Sequence, residues 1–140
     1  MGSFKKSRHL WRTPPMVVLS DGDTLTAAQS GGIFMFQAAD ITVTLPATAT
    51  GLLYTFVFVS AGGAGGAANI SPNANDKIIG SIIDVANGNV VTAANNGLGA
   101  DNKDIELDGG SLFGDRVTLY GDGTYGWLIL EGVGSWVFES

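Results

Sequence analysis

The stretch Leu52-Leu53-Tyr54-Thr55-Phe56-Val57-Phe58-Val59 is the strongest indication of the fold class. It is almost wholly apolar and is rich in the aromatic and β-branched residues that favour strands. Both of its faces are apolar, so we expect a strand that is central in its sheet or lies at a contact between subunits. A subunit contact would involve the alternate residues of one face, and the predicted oligomer interface is Leu52, Tyr54, Phe56 and Phe58.

Shorter runs on both sides of this stretch also have the period of strands. Ile41-Thr42-Val43-Thr44-Leu45 alternates cleanly, and two runs flank Gly121-Asp122-Gly123, which predicts a hairpin over residues 116–130. No window of ten or more residues has a helical period. The sequence therefore predicts an all-β fold, an antiparallel β-sandwich or barrel (jelly-roll-like). Further short strands are expected at residues 16–19, 33–36, 77–83, 89–92, 104–108 and 135–138.

Composition limits the size and the chemistry of the protein. The chain has 140 residues, of which 45% are apolar, as is usual for one folded domain. We therefore expect a single β domain over residues 16–140. The absence of cysteine excludes disulfides, thiolate catalysis and cysteine metal sites. The longest apolar run, residues 52–59, is far too short to cross a bilayer, and no membrane partner is expected.

Positive charge is concentrated at the amino terminus. Residues 1–15 hold four of the seven lysines and arginines and none of the thirteen acidic residues, so their net charge is +4. The remainder holds three basic against thirteen acidic residues, a net charge of −10. Pro14 and Pro15 favour an extended backbone just before the first strand. Residues 1–15 are therefore predicted to form an extended basic arm that attaches to a partner.

The arm carries residue types that suit a protein partner. Phe4 and Trp11 can bury apolar area, and the cations can steer docking onto an acidic surface. Nucleic acid would also suit these residues, but the acidic body would repel it, so no nucleic acid is expected. A solvated tail is the alternative. The predicted partner-binding residues are Phe4, Lys5, Lys6, Arg8, Trp11 and Arg12.

Motifs for catalysis are weak. Residues 63–68 have the spacing of a dinucleotide-binding loop, but such a loop needs a helix next, and Asn69-Ile70-Ser71-Pro72 does not predict one. The only histidine is His9, which lies in the arm, so a nucleophilic serine in the body would lack a base. We expect no catalytic residues and no bound cofactor.

Acidic residues leave two alternatives open. Glu106 and Glu131 would act as acid and base on a sugar if the fold brought them together. Aspartates in loops would suit calcium, although Asp-Gly pairs also form tight turns, and no metal site is predicted. The aspartates concerned are Asp21, Asp23, Asp101, Asp104 and Asp122.

Two parts of the chain resemble the small all-β virion proteins of tailed bacteriophages. The first is Ile41-Thr42-Val43-Thr44-Leu45-Pro46 followed by Gly51-Leu52-Leu53-Tyr54-Thr55-Phe56. The second is Gly114-Asp115-Arg116-Val117-Thr118-Leu119 followed by Gly126-Trp127 and Gly134-Ser135-Trp136. Such strands and such a tryptophan ending recur in head-decoration and tail-fibre modules. The resemblance covers about half of the body and brings no active site with it.

The resemblance implies a non-enzymatic capsid decoration or cement protein. Its arm would dock on the major capsid protein or on another virion protein. Its body would form a homotrimer, and the protein would reside in the virion after assembly in the host cytoplasm. The main alternative is a tail-fibre or spike module that binds a host-surface glycan, and a polysaccharide depolymerase is a third.

Overall fold

The computed structural model describes residues 16–38, 40–59, 68–84, 88–92, 104–107 and 111–138. In these ranges the chain forms twelve β-strands and one 3-10 helix, Ala27–Gln29, and contains no α-helix. The strands make two sheets in a sandwich-like arrangement, which confirms the all-β prediction. The arm predicted for residues 1–15 lies outside the described residues.

Eight strands belong to sheet A and four to sheet B. Sheet A consists of β1 (Met16–Val18), β2 (Ile33–Phe36), β4 (Leu53–Phe58), β6 (Ile78–Ile79), β7 (Ser81–Asp84), β8 (Asn89–Thr92), β10 (Arg116–Gly121) and β11 (Trp127–Val133). Sheet B consists of β3 (Ile41–Thr44), β5 (Ala68–Ser71), β9 (Ile105–Leu107) and β12 (Trp136–Phe138).

Both sheets combine parallel and antiparallel pairs. The order in sheet A is β1-β2-β4-β10-β11-β7-β8, with β6 also paired to β11. Strands β1, β2 and β4 are parallel, β4, β10 and β11 are antiparallel, and β11 is parallel to β6 and β7. The order in sheet B is β12-β9-β5-β3, and only the β3–β5 pair there is parallel.

Three of the five parallel pairs among the described strands, β1–β2, β2–β4 and β3–β5, arise because the first half of the chain crosses between the sheets. Strands β2, β3, β4 and β5 lie alternately in sheets A and B, and Thr24, which follows β1, bridges Thr44 of β3 in parallel. A strand that returns after visiting the other sheet runs in its original direction, whereas a hairpin would reverse it. The sheets are therefore mixed, and the expected antiparallel pairing holds mainly in the second half of the chain.

The core lies between the inner faces of the two sheets. The ring centroid of Phe56 lies 5.6 Å from that of Phe34 and 6.0 Å from that of Phe36, and those of Tyr54 and Trp127 are 5.4 Å apart. Aromatic pairs of this kind stabilise a core by about 0.5–1.5 kcal/mol beyond their area burial. Sheet B contributes Trp136 and a set of buried aliphatic residues: Ile41, Val43, Ile70, Ile105 and Leu107.

The predicted hairpin forms between β10 and β11. The two strands pair antiparallel as far as Gly121 opposite Trp127, and residues 122–126 make the turn. Asp122 organises this turn, because its Oδ1 accepts three backbone hydrogen bonds of 2.7, 2.8 and 3.0 Å. The donors are the N–H groups of Thr124, Tyr125 and Gly126, in that order.

The hairpin turn is expected to be sensitive to acid. Burial raises the pKa of Asp122, but backbone hydrogen bonds from Gly126, Thr124 and Tyr125 outweigh this effect, and the pKa lies below its ordinary value. A lowered folded-state pKa means that the carboxylate stabilises the fold above the unfolded-state pKa of about 3.9, and that this contribution is lost as the pH falls through the folded-state pKa. We expect Asp122→Asn to lower Tm by about 3 °C at pH 7 and by much less at pH 2. Equal losses at both pH values in thermal unfolding would contradict this role.

Candidate interaction surface

The predicted partner-binding residues all lie in the arm, outside the described residues: Phe4, Lys5, Lys6, Arg8, Trp11 and Arg12. Docking through the arm therefore stays a prediction.

Three of the four predicted interface residues lie in the core. Tyr54, Phe56 and Phe58 are at most 1% exposed, and Leu52 is half-buried against the same core. The Tyr54 hydroxyl donates a 2.8 Å hydrogen bond to the carbonyl oxygen of Thr26, and burial raises the pKa of this tyrosine. The chain itself already covers the apolar area that suggested a subunit contact here. An oligomer interface at these four residues therefore stays a prediction, and their apolar area no longer supports it.

The other side of β4 points outward and leads to a different surface. Successive side chains of a strand point to opposite faces, so Leu53, Thr55 and Val57 face away from the core. Their partners in register on the neighbouring strands have the same orientation. Together these side chains form what is called here the outer face of sheet A.

The outer face of sheet A consists of three rows that cross the strands. The middle row runs through Met16, Ile33, Thr55, Thr118 and Glu131. The row on one side of it runs through Val18, Met35, Val57, Arg116, Val133 and Ile83. The row on the other side runs through Leu53, Tyr120, Leu128 and Ile79.

Most of this face is aliphatic and stays partly or largely open to solvent. Met16 is 59% exposed, Val18 49% and Ile83 56%, while the aliphatic side chains between them are half-buried by their neighbours in the sheet. A register shift between β10 and β11 adds Leu130, which is 60% exposed. Tryptophan and phenylalanine are confined to the inner side of this sheet, so the two faces differ in shape as well as in exposure.

Four polar side chains of the outer face form two pairs. The hydroxyls of Thr55 and Thr118 are 3.1 Å apart and share a hydrogen bond. The Arg116 guanidinium donates to Glu131 Oε1 from Nε at 2.9 Å and forms an ion pair with the same oxygen from Nη2 at 2.9 Å. The charged side chains of the face therefore cancel, and covering it would leave neither these hydroxyls nor these charges without a partner.

The outer face of sheet B has a different chemistry. Its register rows carry Thr42 beside Asn69 and Glu106, and Thr44 beside Ser71. Asp104 accepts hydrogen bonds from the Ser71 hydroxyl at 2.6 Å and from Asn69 Nδ2 at 3.2 Å. The sandwich thus has one aliphatic and one polar outer face.

The two glutamates considered for sugar chemistry lie on opposite outer faces. Glu131 belongs to sheet A, where Arg116 holds it, and Glu106 points outward from sheet B between the buried Ile105 and Leu107. Packed sheets are about 10 Å apart, and both carboxylates point away from the interior. Their separation therefore exceeds the roughly 5–9.5 Å that glycosidase carboxylates need. These two residues do not make a catalytic pair within one chain.

The loop aspartates that are described accept hydrogen bonds from other groups of the protein. Asp21 Oδ1 accepts a 2.9 Å hydrogen bond from the N–H of Thr42, and Asp23 Oδ2 accepts a 2.8 Å one from the N–H of Ser20. Within the described ranges, no group of three or more acidic or histidine side chains could hold a metal ion. The segment after residues 63–68 is strand β5 and not the helix that a dinucleotide site requires.

The sequence contains part of the evidence for the outer face of sheet A. Leu52–Val59 was interpreted as apolar on both faces, and Ile33-Phe34-Met35-Phe36 and Trp127-Leu128-Ile129-Leu130 have the same property. Three strands of this kind in one sheet, β2 and β4 side by side and β11 separated from β4 by one strand, imply a sheet with two apolar faces. This surface was not predicted, because the interface was expected on the aromatic side of the single strand 52–59.

The sequence matches no protein-family model and no curated protein. In the described part of the chain, no helix is long and apolar enough to span a membrane. The role of the outer face of sheet A is therefore inferred from its own geometry and chemistry.

Proposed function

We propose that this protein is a non-enzymatic structural component of a virion, a capsid decoration or cement protein of a tailed bacteriophage. In this role its basic arm docks on the major capsid protein or another virion protein, and its β body associates with neighbouring subunits. The resemblance to phage virion proteins suggests the setting. The observation that carries the structural role is the aliphatic outer face of sheet A.

The size of that face supports assembly as the role of the body. Strands about 4.8 Å apart and rows about 6.6 Å apart give six strands and three rows an area of roughly 500 Å². Thr55, Thr118, Arg116, Glu131 and Tyr120 take about a third of that area, so the aliphatic part is roughly 300–350 Å². The largest apolar patch on a typical monomer is about 300–600 Å² and is often functional, so a patch of this size suits a site of interaction. The internally paired polar groups fit a surface that is covered in use.

The arm and the body would then have separate tasks. The arm holds the cations, and the described acidic residues lie mostly in loops and on sheet B, away from the outer face of sheet A. Docking of the arm on an acidic capsid groove would leave the aliphatic face free for contacts between neighbouring subunits. Exposed ion pairs are screened by salt, so attachment through the arm should weaken as ionic strength rises.

Charge reversal in the arm is expected to abolish capsid attachment. We expect a variant with Lys5, Lys6, Arg8 and Arg12 all changed to Glu to lose at least tenfold in affinity for purified empty capsids of the phage. Deletion of residues 1–15 should have the same effect. Lys103→Glu, a charge reversal in the body, serves as the control and should bind normally. Co-sedimentation with capsids measures binding, and far-UV circular dichroism checks that each variant is folded. Full decoration by the arm variants would refute the attachment role.

The polar outer face of sheet B supports the alternative of a tail-fibre or spike module that binds a host glycan. Hydroxyl, amide and carboxylate groups such as those of Thr42, Asn69 and Glu106 are the kinds of group that hold sugars. Quantitative mass spectrometry of purified virions separates the two roles. Hundreds of copies per particle are expected for decoration, whereas a few copies would indicate a fibre.

A further inference from the structure

We propose that the outer face of sheet A packs against the same face of a second copy of this chain, so that two sandwiches stack face to face. The biological use of this pair rests on the proposed structural role. The pairing itself is a property of the purified protein and is tested without a capsid.

Charge indicates which molecule covers the face. The arm, with a net charge of +4, would need carboxylates, but the outer face of sheet A offers only Glu131, which Arg116 already holds. A second copy brings a face whose charged groups are likewise paired. An aliphatic, neutral contact also lets two acidic bodies approach without placing their acidic outer faces together.

The chemistry of the contact suits sheet-on-sheet packing. Aliphatic side chains such as Met35, Leu53 and Val57 need no hydrogen-bond partners, and sheets stacked through such side chains lie about 10 Å apart in β-sandwiches. The Thr55–Thr118 pair at the centre of the face has already satisfied its hydroxyls within one chain. The face can therefore be buried without leaving these polar groups unpaired.

The area is sufficient for a specific contact. A face of roughly 500 Å² on each copy buries on the order of 1,000 Å² in a pair, which is at the lower limit for a stable, specific interface. A contact of this size is expected to be concentration-dependent. Monomer and pair should therefore both be observable in the micromolar range.

The symmetry of the contact limits the assembly to two chains. When the same patch serves both partners, the interface is isologous and closes at a dimer. A ring of three would need a second, complementary patch on each chain, and the other outer face, that of sheet B, is polar. The pair therefore differs from the homotrimer that the resemblance implies, and mass distinguishes them.

Light scattering on the purified full-length protein tests the pair. Between about 1 and 100 µM the mass should rise from that of one 14.4 kDa chain to that of two. Val57→Asp and Leu53→Asp, each placing a charge on the face, should keep the mass at one chain throughout and weaken pairing at least tenfold. Thr42→Asp places the same charge on the exposed face of sheet B and should still pair. A one-chain mass for the unmodified protein, a three-chain mass, or pairing that Val57→Asp leaves intact would overturn the proposal.

A second measurement does not depend on how well a buried charge is tolerated. The chain has no cysteine, so Val57→Cys introduces a single thiol on the face and Thr42→Cys a single thiol on sheet B. Labelling of Cys at position 57 with a bulky maleimide should slow about fourfold between about 1 and 100 µM, as expected for a pair that dissociates near the middle of that range, and labelling at position 42 should not change. Protection at position 57 that is independent of concentration would mean that the chain's own arm covers the face. Labelling at position 57 that is rapid at every concentration would mean that nothing covers the face. Either of these two results would refute the pair.

Discussion

Phe56→Ala is expected to lower the free energy of unfolding by about 3–5 kcal/mol, the usual cost of removing a buried phenylalanine ring. Phe56 has no exposed surface and lies near the centre of sheet A, between β2 and β10. Its ring packs against those of Phe34 and Phe36. Removing it leaves a cavity between the sheets that the surrounding packed core can fill only in part.

Urea unfolding followed by tryptophan fluorescence measures this loss, since Trp127 and Trp136 are both buried. The matched control is Phe113→Ala, the same truncation at a side chain that is 71% exposed, and it should change stability by no more than about 0.5 kcal/mol. Similar losses in both variants would mean that β4 does not present Phe56 to the core. In that case the assignment of side chains to the outer face of sheet A, which rests on the same alternation, would also be wrong.

Gly126→Ala is expected to lower the free energy of unfolding by about 3 kcal/mol or more. Gly126 has a φ of 138°, a conformation that L-amino acids with a side chain rarely adopt. A Cβ at this position would overlap the backbone oxygen of Lys77 and lie 2.7 Å from its nitrogen. Neither atom can move freely, because the Lys77 carbonyl accepts a 2.7 Å hydrogen bond from the N–H of Trp127, where β6 joins β11.

Gly51→Ala separates the two causes of this loss. Gly51 also has a positive φ, 91°, but a Cβ there would meet no atom within 4 Å. Its substitution should cost only about 1–2 kcal/mol, the penalty for a left-handed conformation. Thermal and urea unfolding of the two variants measures the difference. Equal losses would show that conformation alone, and not the close approach of β6, explains the requirement for glycine at position 126.

The individual strands were largely predictable, since they depend on residues that are close in sequence. The alternation of residues 41–45 gave β3, and the Asp-Gly turn with two flanking runs gave the β10–β11 hairpin. Strand β5 was missed because Ala68-Asn69-Ile70-Ser71 has little β propensity of its own and is stabilised by its pairs with β3 and β9. Parallel pairing was missed because it joins residues that are 17 to 50 positions apart in the chain, and such contacts leave no local pattern.

The candidate surface was only partly predictable. An apolar strand with two apolar faces was recognised at residues 52–59, but the side that faces the core depends on the sheet packed against it. Arg116 and Glu131 are fifteen residues apart in the chain, and only the pairing of β10 with β11 brings them into one ion pair. The arm carries a clear charge signal, yet no sequence pattern defines the groove that would receive it.

By itself, the sequence determined the all-β class, most strand positions, the β10–β11 hairpin and the segregation of positive charge into residues 1–15. These properties follow from local backbone preference, period and composition. Only the tertiary structure decided that the sheets are mixed, that Tyr54, Phe56 and Phe58 lie inside, and that Leu53 and Val57 lie outside. The physical reason is that an apolar strand can bury either face, and burial of its aromatic face against sheet B, formed by segments distant in sequence, leaves the aliphatic face outside.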